Sequence, residues 1–179
     1  MKTIHTGFTL LELISTLAVS TIVLGLGVPS IAALMNANRL SGQVNDLRSA
    51  LALTRTEAIT RNQHVVICKS DDGETCTRKG RWDNGWIVYV DADRDRARDD
   101  DEPVLLARTA VGKHVRIDYR GFGSHHYVVY RPNGMTRTNG TFVICDPQAE
   151  ERARTLVLIK TGRVRIGRPT AEKRAQVCG

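Results

Sequence analysis

Gly7-Phe8-Thr9-Leu10-Leu11-Glu12 marks the point where a short polar opening gives way to a long apolar run. Ahead of it stand Met1 to Thr6, with a single lysine, Lys2. Past Glu12 no charge appears before Arg39, so Leu13 to Asn38 form 26 uncharged residues, mostly Leu, Ile, Val, Ala and small hydroxyl side chains. Roughly 20 such residues suffice for a helix to span a bilayer. Lys2 in front of the run predicts a cytoplasmic N-terminus with the rest translocated. A carboxylate at the head of a membrane helix is costly unless paired, which singles out Glu12. No Ala-x-Ala site closes the run, so an ordinary secretory signal fits poorly.

These six residues resemble the processing motif of type IV pilins and pseudopilins. The resemblance implies that a prepilin peptidase cuts after Gly7 and that Phe8 becomes a methylated new N-terminus. It also makes Glu12 the assembly carboxylate, pairing with the Phe8 amine of a neighbouring subunit where both charges lack water. Three parts follow: a cleaved leader over residues 1–7, a hydrophobic transmembrane and assembly half-helix over 8–36, and a periplasmic or extracellular head over 37–179. Such a subunit crosses the bacterial inner membrane once before assembly and ends in a periplasmic or cell-surface fibre, among other pilins.

Beyond the run, Gly25, Gly27 and Pro29 are expected to kink or loosen the helix rather than end it, since apolar residues resume at Ile31. From Arg39 the pattern turns amphipathic: Leu40, Val44, Leu47, Leu51 and Ala58 recur at helical steps, with Arg48, Arg55 and Arg61 between them. One helix from Phe8 to about Arg61 is the prediction. From His64 onward the chain reads as short strands: 64–68, 86–90, 104–108, 114–119, 127–131, 141–145, 155–160 and 163–166. Pro132-Asn133-Gly134 and Asn139-Gly140 are turn signals. Close spacing without intervening helices predicts antiparallel sheets covering the apolar helix face, an α+β pilin fold. Asn84 to Asp91, Glu102 to Leu105, Asn139 to Cys145 and Thr161 to Arg165, in that order, resemble the GspH/FimT branch of minor pilins and minor pseudopilins.

The net charge is +7 over 179 residues, unevenly spread. Asp71 to Glu102 hold 11 acidic and 6 basic residues, whereas Pro103 to Gly179 hold 14 basic and 5 acidic. From Arg152 onward there are eight basic residues and one acid, Glu172. Arg163 and Arg165 share one face of a strand, Gly162 permits the turn that presents them, and Arg168, Lys173 and Arg174 extend the band. Such a band tracks phosphates, with affinity that falls as salt rises. No aromatic interleaves it, which argues against base stacking and sequence readout. Some FimT-like members are DNA-binding minor pilins of natural transformation whose tail carries Gly-Arg-x-Arg, and Gly162-Arg163-Val164-Arg165 matches. The resemblance implies sequence-independent binding of double-stranded DNA through Lys160, Arg163, Arg165, Arg168, Lys173 and Arg174. Two other readings stay open: a minor pilin that primes pilus assembly without binding DNA, and a minor pseudopilin of a type II secretion system.

Cys68, Cys76, Cys145 and Cys178 allow three disulfide pairings, and the sequence does not choose. A local bridge closing the polar loop 69–75 would leave Cys145 with Cys178. With no Cys-x-x-Cys, neither zinc nor thiol redox chemistry is expected. Asp91, Asp93, Asp95 and Glu102 fall at positions one, three, five and twelve of an EF-hand-like loop. Arg96 stands at position six, where the sharp turn calls for glycine, so a solvated hairpin loop is the expected reading and no metal is assigned. His114, His125 and His126 lack a companion pattern. There is no nucleophile elbow, phosphate-binding glycine loop or paired-carboxylate motif, so neither an enzyme nor a cofactor is expected.

Overall fold

The computed structural model describes Gly7, residues 9–110 and residues 114–179, with the backbone alone for residues 26–34, 36 and 37. The leader residues 1–6, Phe8 and many side chains of the apolar run therefore lie outside the described residues. Contacts divide the chain between Arg39 and Leu40. Each part is described by itself.

Helix α1 covers Leu10–Arg61. Its start has a capping box: the Glu12 amide donates to Thr9 Oγ1 at 3.3 Å, and the Thr9 amide donates to Glu12 Oε2 at 3.4 Å. Downstream, Ser15, Thr16, Ser20 and Thr21 donate to carbonyls of the preceding turn, so the helix itself satisfies their hydroxyls. Leu10, Leu11, Leu17 and Ile22 are exposed. Among the described residues no helix is long and apolar enough to cross a membrane.

In the second part, two four-stranded antiparallel sheets share one core with residues 40–58 of α1. β1 (His64–Lys69), β2 (Gly85–Asp91), β3 (Val104–Thr109) and β5 (Tyr127–Tyr130) form one sheet, in the order β3-β2-β1-β5. β4 (Arg116–Gly121), β6 (Gly140–Cys145), β7 (Arg154–Leu158) and β8 (Val164–Gly167) form the other, in the order β4-β6-β7-β8. The expected helical stripe is the buried one, with Leu47, Leu51 and Ala58 at 0% exposure. Burying a leucine of this kind stabilises by about 2 kcal/mol. α1 ends where Asn62 takes a left-handed φ of 54°, and Gln63 and Asn62 donate back to Ala58 and Ile59, a Schellman stop.

Strand alternation then assigns the faces. Ile117, Tyr119, Phe142, Ile144, Leu156 and Leu158 point into the core, where Tyr119 stacks on Phe142 at 4.3 Å and Trp82 meets Phe142 edge-on at 5.0 Å. On the reverse face of the second sheet, Val143 and Cys145 pack with Val177 and Cys178 of a C-terminal helix, α2 (Ala171–Cys178). That helix is not among the expected elements, which end with the strand at 163–166. Thr170 caps it by accepting from the Lys173 amide at 3.4 Å. Eight polar-rich residues give no helical periodicity to read, and the helix is held from outside itself. Cys178 is bonded to Cys145, and Arg116 donates to the Gly179 carbonyl at 2.7 Å. Cys68 is bonded to Cys76.

Candidate nucleic-acid interface

The turn from β7 to β8 is fixed by backbone geometry. Gly162 donates to the Ile159 carbonyl at 2.8 Å and adopts φ 77°, a conformation that L side chains rarely take. A Cβ there would run into the Gly134 carbonyl oxygen and lie 3.1 Å from the Tyr130 ring. The same turn is clamped by the β5–β6 connection. Thr136 donates its amide to the Lys160 carbonyl at 3.0 Å, and the Lys160 amide donates to Asn139 Oδ1 at 2.7 Å. Tyr130 adds a bond from its hydroxyl to the Gly162 carbonyl at 3.3 Å. The glycine of the Gly-Arg-x-Arg stretch thus has two structural reasons to be there, and Arg163 leaves a rigid base.

Among the described residues β8 pairs only with β7, which makes it an edge strand of its sheet. Val164 turns toward the core while Arg163 and Arg165 on either side are exposed. Between this edge and α1 runs a groove of about 380 Å³, lined by Arg163 and Arg165 and by Arg48 and Arg55 of the helix. The helical pair is seven residues apart, two turns on one face. Their spacing was the signal available in the sequence; they stand beside the apolar stripe, but only the fold shows that this side of the helix meets β8. None of the four arginines has an ion-pair partner among the described residues, and Arg55 Nε is buried without a hydrogen-bond partner. Tyr130 also lines the groove, but it is fully buried and offers no face for a base.

The other expected cations do not join this groove. Lys160 and Arg168 are exposed on either side of the β8 segment. Lys173, on α2, lines a separate small depression with Arg120 and Thr141 on the reverse face of the sheet, and Arg174 sits on the same helix. The band read along the sequence is therefore divided by the sheet. The acidic residues are elsewhere too: Asp91 ends β2 and Glu102 precedes β3, both in the other sheet. His125 and His126 lie between β4 and β5, where the His125 carbonyl accepts from Trp82 Nε1 at 3.0 Å and the His126 carbonyl from the Lys69 amide at 3.0 Å. His114 falls in the turn before β4. At the other end, Gly7 is exposed, and Glu12 is occupied by its capping bonds to Thr9.

A helix whose apolar stripe closes two antiparallel sheets, preceded by an exposed apolar helical stretch, is the build of a pilin-like subunit. The family model for Type II transport protein GspH matches residues 43–162, and the chain belongs to that family. Comparison with curated proteins gives no match. Among solved structures, the type IV minor pilin FimU of Pseudomonas aeruginosa is similar, with 17% identity, a TM-score of 0.58, and coverage of 78% of this chain and 92% of FimU. The minor pseudopilin EpsH from the Type 2 Secretion System of Vibrio cholerae is similar at 14% identity and a TM-score of 0.52, covering 73% of this chain and 98% of EpsH. At these identities the likeness is one of fold. The fold thus agrees with the family assignment.

Proposed function

We propose that this chain is a minor type IV pilin that binds double-stranded DNA without sequence preference and supports its uptake in natural transformation. The observation that carries the reading is the groove in which Arg48, Arg55, Arg163 and Arg165 meet without an ion-pair partner among the described residues. Guanidinium groups along a groove neutralise backbone phosphates and release their counterions, whatever the base sequence. On this reading the subunit is cut after Gly7 by a prepilin peptidase, methylated on Phe8, held once through the inner membrane by its apolar segment, and drawn into the fibre through Glu12. The exposed leucines of α1 and the self-satisfied hydroxyls of Ser15, Thr16, Ser20 and Thr21 support that passage.

The test is a titration of the purified full-length chain, in detergent, against unrelated duplexes at several salt concentrations. Replacing Arg48, Arg55, Arg163 and Arg165 by glutamine is expected to flatten the log–log salt slope by roughly 3 to 4 and to weaken binding at least ~100-fold near 0.1 M salt. Identical curves for wild type and variant would remove the groove as the site. The likeness to EpsH favours one other reading, a pseudopilin whose loss impairs secretion and leaves DNA uptake intact. Priming of pilus assembly predicts instead that the wild-type chain does not bind DNA and that these arginine variants lose pili.

A further inference from the structure

We propose that the β2–β3 loop, residues 91–102, is a calcium-binding site built on Asp91, Asp93 and Asp95. Each of the three brings a carboxylate oxygen to within 4.8 Å of the other two. Asp91 is 1% exposed, and its Oδ2 has no hydrogen-bond partner. A buried acceptor left unsatisfied beside two further carboxylates is an arrangement that a hard cation resolves and that water-free burial otherwise penalises. The neighbouring Tyr89 hydroxyl is buried without a partner as well, two residues back on the same face of β2.

The feature that argued against calcium in the sequence does not stand in the fold. Arg96, at the position where an EF-hand loop needs glycine, adopts φ 69°, so the chain makes the sharp turn without one. Two of the three interleaved arginines have partners outside the carboxylate cluster, while Arg94 and Arg96 line a depression with Asp91. Arg96 donates to the Tyr127 hydroxyl at 3.2 Å, with its guanidinium 6.0 Å from the ring centre. Arg98 donates to the Glu102 carbonyl at 3.2 Å and reaches Asp100 at 3.8 Å. Arg94 lies by His64, whose imidazole pKa is lowered by burial first and then by the Arg94 charge. None of them forms an ion pair with Asp91, Asp93 or Asp95.

Glu102 closes the loop from position twelve. It is 3% exposed, and its oxygens accept from the Ala92 amide at 2.6 Å and the Asp99 amide at 3.2 Å. Each oxygen keeps a free lone pair. All the donors are oxygens on a loop between two strands, which suits calcium better than magnesium with its rigid octahedron. The Arg96 charge still reaches Asp91 and Asp95, so the affinity belongs to the weak class of extracellular modules. The proposal rests on this loop alone and is independent of what the arginine groove binds.

The test uses the full-length chain stripped with a chelator, titrated with calcium chloride and heated with and without about 5 mM calcium. One saturable event with a Kd of about 10⁻⁴–10⁻³ M and a raised unfolding midpoint are expected. Asp93→Asn with Asp95→Asn, both on the exposed side of the loop, should lower the affinity at least ~10-fold while the calcium-free midpoint holds. Asp91→Asn should lose the calcium-dependent rise without losing the fold. No calcium-dependent heat or shift, or a shift that the Asp93/Asp95 variant keeps, would overturn the site.

Discussion

The β2–β3 loop and the β7–β8 hairpin carry opposite charge on different sheets, and the fold treats the two charges differently. In the acidic loop the chain spends its own donors: amides of Ala92 and Asp99 on Glu102, the amide of Arg96 on Asp91, the guanidinium of Arg98 on Asp100 and a carbonyl. One buried Asp91 oxygen remains unserved. In the basic hairpin the internal bonds all go to the backbone, and the arginine charges are left over. The first region lacks a donor that a small cation supplies. The second lacks acceptors, which a polyanion carries in a row. Charge that folding leaves unmatched is what a partner can read.

Two variants sharpen the contrast. The largest effect is expected from Cys145→Ser with Cys178→Ser, which frees α2 and, in the chain-entropy model for a sequence separation of 33, costs about 4 kcal/mol of stability. A urea midpoint measures that loss. DNA affinity should change less than ~2-fold, because the groove arginines come from α1 and β8; a larger drop would return Lys173 and Arg174 to the site. Next comes Gly162→Ala, which forces a side chain into φ 77° and against the Gly134 carbonyl. A cost of about 1–3 kcal/mol is expected, with weakened DNA binding as Arg163 shifts. Calcium binding at the other sheet should not move, and if it does the two regions are coupled.

The two regions also differ in how far the sequence exposes them. α1 and the eight expected strands were legible because period and turn chemistry are local: Leu40 to Ala58 repeat at helical steps, Pro132-Asn133-Gly134 follows the end of β5, and Asn139-Gly140 leads into β6. The strand expected from His114 begins at Arg116, a shift at the least patterned boundary. Arg163 and Arg165 were legible as a same-face pair beside a turn glycine. Arg48 and Arg55 were not, since only tertiary packing sets α1 beside β8. α2 was missed because its eight residues owe their helix to Thr170 and a disulfide rather than to an apolar stripe. The left-handed turn at Arg96 was not legible for a related reason: hydrogen bonds from the loop amides to Asp91 and Asp95 hold a conformation that the residue type alone disfavours.

Asp72 gives the acidic side of the comparison its control, with the smallest expected effect. It sits in the loop closed by Cys68 and Cys76, and there the fold supplies every donor. Its oxygens accept from the Thr75 hydroxyl at 2.6 Å, the Thr75 and Glu74 amides at 2.8 Å and the Ser70 hydroxyl at 2.9 Å. These bonds, the Thr75 hydroxyl first, hold its carboxyl well below the usual carboxylate range, whereas burial and then the charges of Asp93 and Asp95 push Asp91 up. A depressed native pKa means that the unfolded chain binds the proton more readily. The stabilisation from Asp72 is therefore complete above the unfolded value, about 3.9, and drains away as the pH falls from there toward the native value. Urea midpoints of wild type and Asp72→Asn should differ modestly at pH 6, because the group is exposed, and converge below about pH 4. A gap that stays constant with pH would mean that the loop is held by its disulfide rather than by the carboxylate. The contrast drawn between served and unserved acids would then lose its reference.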